Sequence, residues 1–259
     1  MQVPKFKENR FKNKENRYCL IIPLFNEGER FKSQLKKMID NEIMNIVDVV
    51  ICDAGSTDGC TDIDMLKEAN VTTLLTRIGK GRQGTDLRMG FYWAKNLEYD
   101  GVITVDGNDK DDTIAIHDFI NKLDDGYDYI QGSRYVEGGK GINTPFIRHW
   151  ALKLINEPIM SFCAKRRLTD TTNGFKAYSS NFLFDERVDV FRDIFYGYEL
   201  SYYLPVRACQ LSYKIIEIPV TRAYPKNEKT PTKIGGIKGN IYQIGILINM
   251  IKNKYNPLN

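Results

Sequence analysis

The sequence predicts an α/β fold in which a mostly parallel sheet is flanked by helices. Five short apolar runs, rich in β-branched residues, occur within the first 130 residues and are typical of strands buried on both faces. Segments with apolar residues at helical spacing lie between these runs, and this alternation favours parallel pairing. A length of 259 residues is close to the size at which one hydrophobic core stops growing, so we expect a single globular domain.

The individual elements follow from these runs. The predicted strands of the first half are residues 19–23, 46–52, 71–75, 101–105 and 127–130, and the predicted helices between them are 29–40, 62–69, 83–97 and 114–123. The second half is less regular, with helices predicted over 145–165, 198–209 and 239–252 and extended segments over 174–178 and 213–222. Ligands of such sheets bind at the carboxyl ends of the strands, so polar residues there are candidates for function.

Both ends of the chain differ from the domain expected over residues 18–235. Residues 1–17 carry six basic residues and only isolated apolar ones, which predicts a disordered basic arm; attraction to anionic lipid headgroups is the alternative. Residues 236–259 are predicted to contain a C-terminal amphipathic helix that either docks on its own domain or lies on a membrane. Its apolar stripe consists of Ile241, Ile244, Leu247, Ile248 and Ile251.

Composition argues against several classes of protein. Thirty-seven Lys and Arg against 33 Asp and Glu give a net charge of only +4, too little for a chain whose main task is binding nucleic acid. The five cysteines are scattered without a CxxC pair, so we expect reduced thiols. The N-terminus lacks the apolar core of a signal peptide, and no window reaches the roughly 18 consecutive apolar residues of a membrane span. We expect a cytoplasmic protein that can lie at the inner face of a membrane.

Polar motifs follow the first three predicted strands. Pro-Leu-Phe-Asn-Glu occupies residues 23–27, and Asp-Ala-Gly-Ser-Thr-Asp-Gly occupies 53–59, where glycines permit a tight turn and Asp53 can accept hydrogen bonds from a base or a ribose. The second motif alone also fits an ordinary turn and helix cap, but the two motifs together favour a nucleotide site. Lys80, in a Gly-Lys-Gly segment before a helix, supplies a cation suited to a diphosphate.

The fourth strand ends in an acidic cluster, Asp-Gly-Asn-Asp-Lys-Asp-Asp, over residues 106–112. Mutual repulsion makes such a cluster costly unless solvent, metal cations or basic side chains neutralise it. Hard oxygen ligands at alternating positions suit Mg²⁺ or Mn²⁺ bridging a diphosphate. Asp106 and Asn108 are the better metal candidates, whereas Asp111 and Asp112 are expected to stabilise the N-terminus of the following helix.

Basic residues suited to phosphate come later in the chain. Arg134 follows the fifth strand and Arg148 opens the next helix, and a planar guanidinium matches phosphate oxygens, although either residue also fits a surface ion pair. Residues 222–233, which include Arg222 and Lys233, are rich in Lys, Pro and Thr and have the composition of a loop that could close over a charged ligand.

Seven motifs in this order carry a resemblance to a known family. They are IIPLFNE, DAGSTDG, GKGRQGTDLRMGF, VDGND, GSRY, TTNGFKAY and IPVTR. From about residue 18 to residue 233, the chain resembles the family-2 inverting glycosyltransferases with the GT-A fold, a Rossmann-like, mostly parallel sheet flanked by helices. Within that family it is most similar to the polyprenol-phosphate (dolichol-phosphate-like) sugar transferases.

The resemblance implies a reaction and residue roles. A sugar would pass, with inversion, from a nucleotide-diphosphate sugar to a polyprenyl-phosphate or glycan acceptor. Asp106 and Asn108 would hold Mg²⁺ or Mn²⁺, and Arg134 and Arg148 would receive the acceptor's phosphate. The residues assigned to the donor are Pro23, Asn26, Glu27, Asp53, Ser56, Lys80, Arg222 and Lys233.

The chain departs from the family pattern in two respects. Asn108 stands where a second aspartate is usual, and Lys110 stands where a metal-facing glutamine often follows. Less negative charge should weaken cation binding, so either Lys110 replaces part of the metal's charge or Asp109 moves in as a ligand. Many relatives also carry C-terminal membrane spans. Without one, a lipid acceptor would be met at a membrane surface or presented by a membrane protein.

The implied mechanism is an in-line displacement in which cationic groups stabilise the departing diphosphate. A phosphate acceptor, with a second pKa of about 6, is mostly ionised at neutral pH and needs no protein base. A hydroxyl acceptor needs one, so Asp109, Asp170 and Glu199 join Asp106 as candidate catalytic carboxylates. A sugar-phosphate nucleotidyltransferase and a non-catalytic nucleotide-sugar-binding protein are the alternatives.

Overall fold

An eight-stranded mixed sheet forms the centre of the protein. The computed structural model describes residues 2–226 and 236–257, so Lys233 lies outside the described residues. In chain order the strands are β1 (Phe6–Arg10), β2 (Tyr18–Leu24), β3 (Asp48–Asp53), β4 (Thr73–Arg77), β5 (Gly101–Thr104), β6 (Tyr129–Ser133), β7 (Lys140–Ile142), β8 (Lys176–Ser179), β9 (Ile215–Pro219) and β10 (Thr221–Ala223). The sheet order is β1-β4-β3-β2-β5-β8-β6-β9, and β7 and β10 form a separate parallel pair.

Most strands of the central sheet run in one direction. β2 pairs in parallel with β3 and β5, β3 with β4, and β6 with β9, whereas β1 and β8 run against their neighbours. The mostly parallel α/β fold predicted from the sequence is therefore confirmed. The five strands predicted for the first half all form, with boundaries shifted by no more than three residues.

Helices cover both faces of the sheet. They are α1 (Gly28–Asp40), α2 (Ile43–Ile46), α3 (Ile63–Glu68), α4 (Gln83–Asn96), α5 (Ile116–Asp124), α6 (Phe146–Ala151), α7 (Glu157–Ala164), α8 (Ser180–Leu183), α9 (Glu199–Gln210) and α10 (Gly236–Ile251). In β2, Cys19 and Ile21 pack with α4, α7, α9 and α10, whereas Leu20 and Ile22 pack with α1 and α5. All four side chains are fully buried, which is why this strand is a continuous apolar run.

The disordered arm predicted over residues 1–17 is wrong for the described part of that segment. β1 pairs antiparallel with β4 at the sheet edge, and the ring of Phe6 packs edge-on against Tyr92 with centroids 6.5 Å apart. Nζ of Lys14 donates to the carbonyl of Leu97 at 3.1 Å, just past the end of α4. Antiparallel pairing uses backbone groups, so a charged segment with a few inward-facing apolar residues can form an edge strand.

The long extended segment predicted near the C-terminus forms two strands, β9 and β10, because the chain changes partner after Pro219. Proline has no N–H to continue the ladder. The N–H of Val220 donates to the carbonyl of Ser133 at 3.1 Å, and its own carbonyl accepts from β7 at 3.0 Å. This change of partner places Arg222, in β10, beside the carboxyl end of β5.

The helix predicted over 145–165 forms with a wider π-turn, Leu152–Asn156, between α6 and α7. Pro158 has no N–H to donate to a carbonyl one turn earlier, which accounts for a widened turn at this point. A side chain inside the widened turn, Asn156, is buried and accepts a hydrogen bond from Oγ1 of Thr171 at 2.8 Å.

The C-terminal helix α10 packs on α7 and α9, and its apolar residues divide between two sides. Leu247 is buried together with Ile246 and Met250. The other members of the predicted stripe are exposed: Ile241, Ile244, Ile248 and Ile251. Among the described residues, no helix combines the length and apolar character needed to cross a bilayer.

Candidate active site

A cavity of about 960 Å³ opens at the carboxyl ends of β2, β3, β4 and β5. Residues at or just after these four strand ends line it, as expected for an α/β sheet. The strand ends contribute Pro23, Ala54, Arg77 and Asp106. From the other side, α6, α9 and α10 contribute Arg148, Tyr202 and Ile244. The strand-end motifs predicted from the sequence thus meet at one space.

Asp106, two residues after β5, is the centre of a hydrogen-bonded group in the cavity wall. Its Oδ2 accepts from Nη2 of Arg222 at 2.8 Å, and its Oδ1 accepts from Nε2 of Gln83 at 3.2 Å. Arg222 also donates to the buried carboxylate of Asp111. Burial alone raises the pKa of Asp106, but the attraction of Arg222 and Lys110 outweighs burial and lowers that pKa to about 2. The side chain is therefore a carboxylate at physiological pH.

Asp106 and Asn108 offer oxygen ligands for a divalent cation. Oδ1 of Asn108 is buried and has no hydrogen-bond partner among the described residues, and both side chains line the cavity. One carboxylate and one amide oxygen suit Mg²⁺ or Mn²⁺. In the described part of the chain, no group of three or more His, Cys, Asp and Glu side chains could hold a metal ion. The chemistry of the pair, one carboxylate and one unpartnered amide oxygen, fits a divalent cation.

Asp109, predicted as a catalytic residue or an additional metal ligand, is bound to α1 and does not line the cavity. Its φ of +54° lies in the left-handed region, and its carboxylate accepts from Oγ of Ser33 at 2.7 Å and from Nζ of Lys37 at 2.8 Å. Its N–H donates to Oε1 of Gln34 at 2.8 Å. All three partners belong to α1, which holds this carboxylate on the outer side of the loop.

Lys110 lies in the cavity wall with only 6% of its surface exposed. Its Nζ is 5.5 Å from the ring centroid of Tyr224. Burial and the neighbouring Arg222 lower the pKa of Lys110 to about 8, while Asp106 opposes them. The ammonium group is consequently still charged in most molecules at pH 7.

Arg134, predicted as an acceptor ligand, and Asp170, predicted as a catalytic base, form a buried ion pair. Nη2 and Nε of Arg134 donate to the two carboxylate oxygens of Asp170 at 2.7 and 2.8 Å. The two side chains are 1% and 0% exposed, and neither lines the cavity. A bidentate pair of this kind joins the end of β6 to the loop before β8 and leaves no oxygen facing the cavity.

Glu199, also considered as a base, has a structural environment. Its Oε2 accepts from the N–H of Gly197 at 2.6 Å, and its Oε1 accepts from the hydroxyl of Tyr242 in α10. The carboxylate therefore connects the start of α9 to the C-terminal helix and is absent from the cavity lining.

Arg148 lies in the cavity wall on α6, where the sequence predicts an acceptor ligand. Its guanidinium carbon is 5.8 Å from the ring centroid of Tyr224, whose ring also lies 5.9 Å from the guanidinium carbon of Arg222. Arg148 is half-buried, and its charge contributes to the lowered pKa of Asp106. The ring of Tyr224 is therefore within 6 Å of the guanidinium carbons of both Arg148 and Arg222.

The predicted donor residues divide into those that line the cavity and those that shape its wall. Pro23 and Glu27 line it. Asp53 accepts from the N–H of Ser56 at 2.9 Å and from its Oγ at 2.6 Å, and this Oγ accepts from the N–H of Asn26 at 2.9 Å. The side chains of Asp53 and Ser56 and the backbone of Asn26 thus form one hydrogen-bonded chain beside Ala54. Lys80 is exposed and does not line the cavity, although the next two residues do.

An ion pair in the cavity wall, Arg77 with Asp86, was not predicted from the sequence. Nε of Arg77 lies 2.7 Å from Oδ1 of Asp86, and the side chains are 8% and 6% exposed. Burial raises the pKa of Asp86 to about 7, against the attraction of Arg77. Arg77 is the last residue of β4, so the strand-end rule that identified Asp53 could have found it.

Comparison with known proteins identifies the class first. The fold is that of GT-A glycosyltransferases. Glucosyl-3-phosphoglycerate synthase from Mycobacterium tuberculosis, solved with Mn²⁺, UDP and phosphoglyceric acid, superposes with a TM-score of 0.63 over 93% of this chain and 79% of that chain, at 11% identity. The same enzyme solved with Mg²⁺ and UDP gives a TM-score of 0.61 over 90% of this chain and 76% of that chain, at 12% identity.

The family is identified from the sequence match. Residues 19–189 match the model of glycosyl transferase family 2, and the chain belongs to this family. It is 28% identical to the undecaprenyl-phosphate mannosyltransferase of Micrococcus luteus, over 86% of this chain and 90% of the relative. It is 26% identical to the polyprenol monophosphomannose synthase of Mycolicibacterium smegmatis, over 85% and 82%. The chain is a glycosyltransferase, which replaces the nucleotidyltransferase and non-catalytic alternatives.

Proposed function

We propose that this glycosyltransferase moves a sugar, with inversion, from a nucleoside-diphosphate sugar to a polyprenyl phosphate. The observation that carries the proposal is the arrangement of charge in one cavity. Asp106, Lys110 and Arg222 form a charged group beside the strand ends, and Arg148 faces the same space from α6. Two phosphate-bearing substrates need two cationic positions in a shared site, and relatives named for undecaprenyl phosphate and polyprenol point to the acceptor class.

The donor's diphosphate would lie against Arg222 and Lys110, with the nucleoside toward Pro23 and Glu27. Asp106 and Asn108 would hold a Mg²⁺ or Mn²⁺ ion that supplies further positive charge for the diphosphate. An oxygen of the acceptor phosphate attacks the anomeric carbon from the opposite side, and the bond to the diphosphate breaks. The departing diphosphate gains charge, which these fixed cations stabilise. The acceptor is already an anion, so the step needs no protein base.

The acceptor's phosphate would bind Arg148, and its prenyl chain would lie along an apolar wall. Ile147, Leu152 and Ile155, around the π-turn, line one side of the cavity, and Ile244 and Leu247 of α10 line the other. An apolar wall that continues from a phosphate-binding cation to the surface matches a lipid phosphate.

The matched test of this assignment compares two acceptors and two variants. The purified chain, given Mn²⁺ and a panel of nucleoside-diphosphate sugars, should transfer to a short polyprenyl phosphate and not to the corresponding prenyl alcohol. Arg148→Met should raise the acceptor KM by about tenfold or more, the value of one charge-assisted contact, and leave nucleotide affinity unchanged. Lys122→Met, which removes a half-buried cation on α5 that does not line the cavity, is the control. Equal transfer to the alcohol, or an equal loss of nucleotide affinity in Arg148→Met, contradicts the proposal.

We also propose that the outer surface of α6 and α7 rests on an anionic membrane at the cytoplasmic face. Leu154 is 66% exposed and Phe162 is 74% exposed, and neither lines the cavity. Basic residues lie among and after them, namely Lys153, Lys165, Arg166 and Arg167. Large exposed apolar side chains next to cations are typical of helices that bind anionic headgroups. The apolar wall of the cavity begins on the same helix, which gives a membrane-held acceptor a route to the site.

Sedimentation with vesicles tests the surface. The full chain should bind phosphatidylglycerol-containing vesicles better than phosphatidylcholine vesicles. Leu154→Ser with Phe162→Ser should lower the partition coefficient by about tenfold or more, because two large apolar side chains are removed. Ile63→Ser, which removes an exposed apolar side chain on α3, should leave partitioning unchanged. Equal binding of all three proteins contradicts a membrane contact at this surface.

A further inference from the structure

The loop after β5 contains a lysine where the metal-facing residue of the family is expected. The sequence leaves two ways to compensate for Asn108: Asp109 as an added ligand, or Lys110 as a substitute charge. The structure separates them, because α1 holds the carboxylate of Asp109 outside the cavity, whereas Lys110 is in the cavity wall. The residue that faces a ligand at this end of the cavity therefore brings a positive charge.

The backbone of Lys110 is held in place by β10. Its carbonyl accepts from the N–H of Ala223 at 2.7 Å, and the N–H of Asp112 donates to the carbonyl of Thr221 at 3.0 Å. An isolated antiparallel bridge joins Asp111 to Arg222 between these two bonds. Lys110 and Arg222 consequently lie on two paired segments, and their relative position is fixed before any ligand arrives. Fixed charges cost little reorganisation when an anion binds.

The charges at this end of the cavity favour an anion. Lys110, Arg222 and Arg148 provide three positive charges, and Asp106 and Asp111 provide two negative charges. Asp111 is buried and directed to Arg222, so it does not present its charge to the cavity. A group with a net positive charge beside a single cavity-facing carboxylate attracts a diphosphate and disfavours a free dication.

We propose that Lys110 is a resident cation for the donor's diphosphate, so that this chain binds nucleotide without requiring a divalent metal. The inference rests on the proposed function, because it concerns the same donor site. Mn²⁺ or Mg²⁺ can still join the complex through Asp106 and Asn108, and its contribution to nucleotide affinity is then small because Lys110 already opposes the diphosphate.

Nucleotide affinity with and without metal tests the inference. The dissociation constants of UDP and GDP would be measured by calorimetry on the full chain, in EDTA and in Mn²⁺, and the tighter nucleotide followed. For the wild-type chain the two constants should agree within about threefold, less than the value of one charged contact. In Lys110→Gln, removing EDTA and adding Mn²⁺ should tighten binding by about 10- to 100-fold. Lys110→Arg should behave like the wild type.

Asp109→Asn is the matched control, since it changes a charge in the same loop but outside the cavity. It should leave the ratio of the two constants unchanged. Electron paramagnetic resonance adds a measurement that does not depend on turnover: free Mn²⁺ should bind Lys110→Gln more tightly than the wild type. If Lys110→Gln does not fold, the wild-type constants and Lys110→Arg still decide the question.

The outcomes separate this inference from the proposed function. A wild-type chain that loses nucleotide binding in EDTA, or a Lys110→Gln chain with an unchanged ratio, overturns the role of Lys110 and leaves the donor site in place. A chain that binds neither UDP nor GDP with or without Mn²⁺ overturns both.

Discussion

Two arginine–aspartate pairs near the carboxyl ends of the strands have the same chemistry and different access to the cavity. Arg134 and Asp170 are 1% and 0% exposed, and both turn away from the cavity. Arg222 and Asp106 are 4% and 19% exposed, and both line it. In the first pair each charge is satisfied by the other. In the second, the aspartate keeps a face toward the cavity and the arginine has a second carboxylate partner.

The difference teaches that burial converts a predicted binding residue into a structural one. The sequence places Arg134 and Arg222 equally well, because each follows a strand of the same sheet. Their environments differ because different groups bind the two guanidinium groups in the folded chain. Asp170 accepts two hydrogen bonds from one edge of the Arg134 guanidinium, and Nη1 donates to the hydroxyl of Tyr224. Asp106 accepts a single hydrogen bond from Nη2 of Arg222. Isosteric substitution of the two aspartates tests this comparison directly.

The largest expected effect is on stability, from Asp170→Asn. This change leaves the buried guanidinium of Arg134 without a counter-charge, so the free energy of unfolding should fall by about 3–5 kcal/mol. Chemical denaturation measures the loss. Turnover per folded molecule should stay near the wild-type value, because neither residue lines the cavity. If the Asp170→Asn protein is stable but inactive, Asp170 takes part in the reaction instead.

The next effect is on turnover, from Asp106→Asn. The variant removes the carboxylate that would hold the cation with Asn108 and that accepts from Arg222. Transfer should fall by about 10²- to 10³-fold, the loss typical of one preorganised electrostatic group. Denaturation should show a smaller change than for Asp170→Asn, because Arg222 keeps its contact with Asp111. Steady-state kinetics and denaturation on the same preparations give both numbers. Near-wild-type turnover would contradict the assignment of the donor site.

The smallest expected effect is on the pH dependence of stability, and it concerns a third arginine–aspartate pair, Arg77 with Asp86. Burial raises the folded-state pKa of Asp86 to about 7, well above the usual value of an aspartate, 3.8. Between these two values the folded chain holds a proton that the unfolded chain has released. Stability from this group is therefore lost as pH rises toward and through 7. Asp86→Asn should flatten the decline in unfolding free energy between pH 5 and pH 8.

A control for that measurement is Asp64→Asn, which changes an exposed carboxylate on α3. Its pH profile should match the wild type. If the Asp86→Asn profile is as steep as the wild-type profile, another group is responsible for the decline.

The sequence predicted the sheet more accurately than the N-terminal segment, for a physical reason. A strand buried on both faces must be apolar throughout, so β2, β3 and β5 are visible as runs. β1 is an edge strand whose partners are backbone groups of β4, and its Phe-Lys-Glu-Asn-Arg sequence has one apolar residue followed by four polar or charged ones. An edge strand forms only where a neighbouring strand of the folded sheet has unpaired backbone N–H and C=O groups. The local composition of the segment does not show whether such a strand is present.

The candidate site shows the same division. Asp106, Arg148 and Pro23 could be predicted because they belong to motifs at strand and helix ends. Arg134 and Asp109 could not be excluded, because their partners are 36 residues and more than 70 residues away in the chain. The backbone of Asp109 itself is in the left-handed region, and its conformation determines the direction of the side chain. A short motif does not show on which side of the loop each carboxylate lies.

By itself, the sequence determined the α/β fold, the edge of the sheet that carries the site, and the residue types available there, because strand burial and turn chemistry are local properties. Only the tertiary structure decided which charges face the cavity. That choice is made by distant partners, Asp170 for Arg134 and α1 for Asp109, and by the register of β10, which brings Arg222 and Lys110 together. The electrostatic role of a charged group depends on its distances in space to other charges. The spacing of residues along the chain does not give these distances.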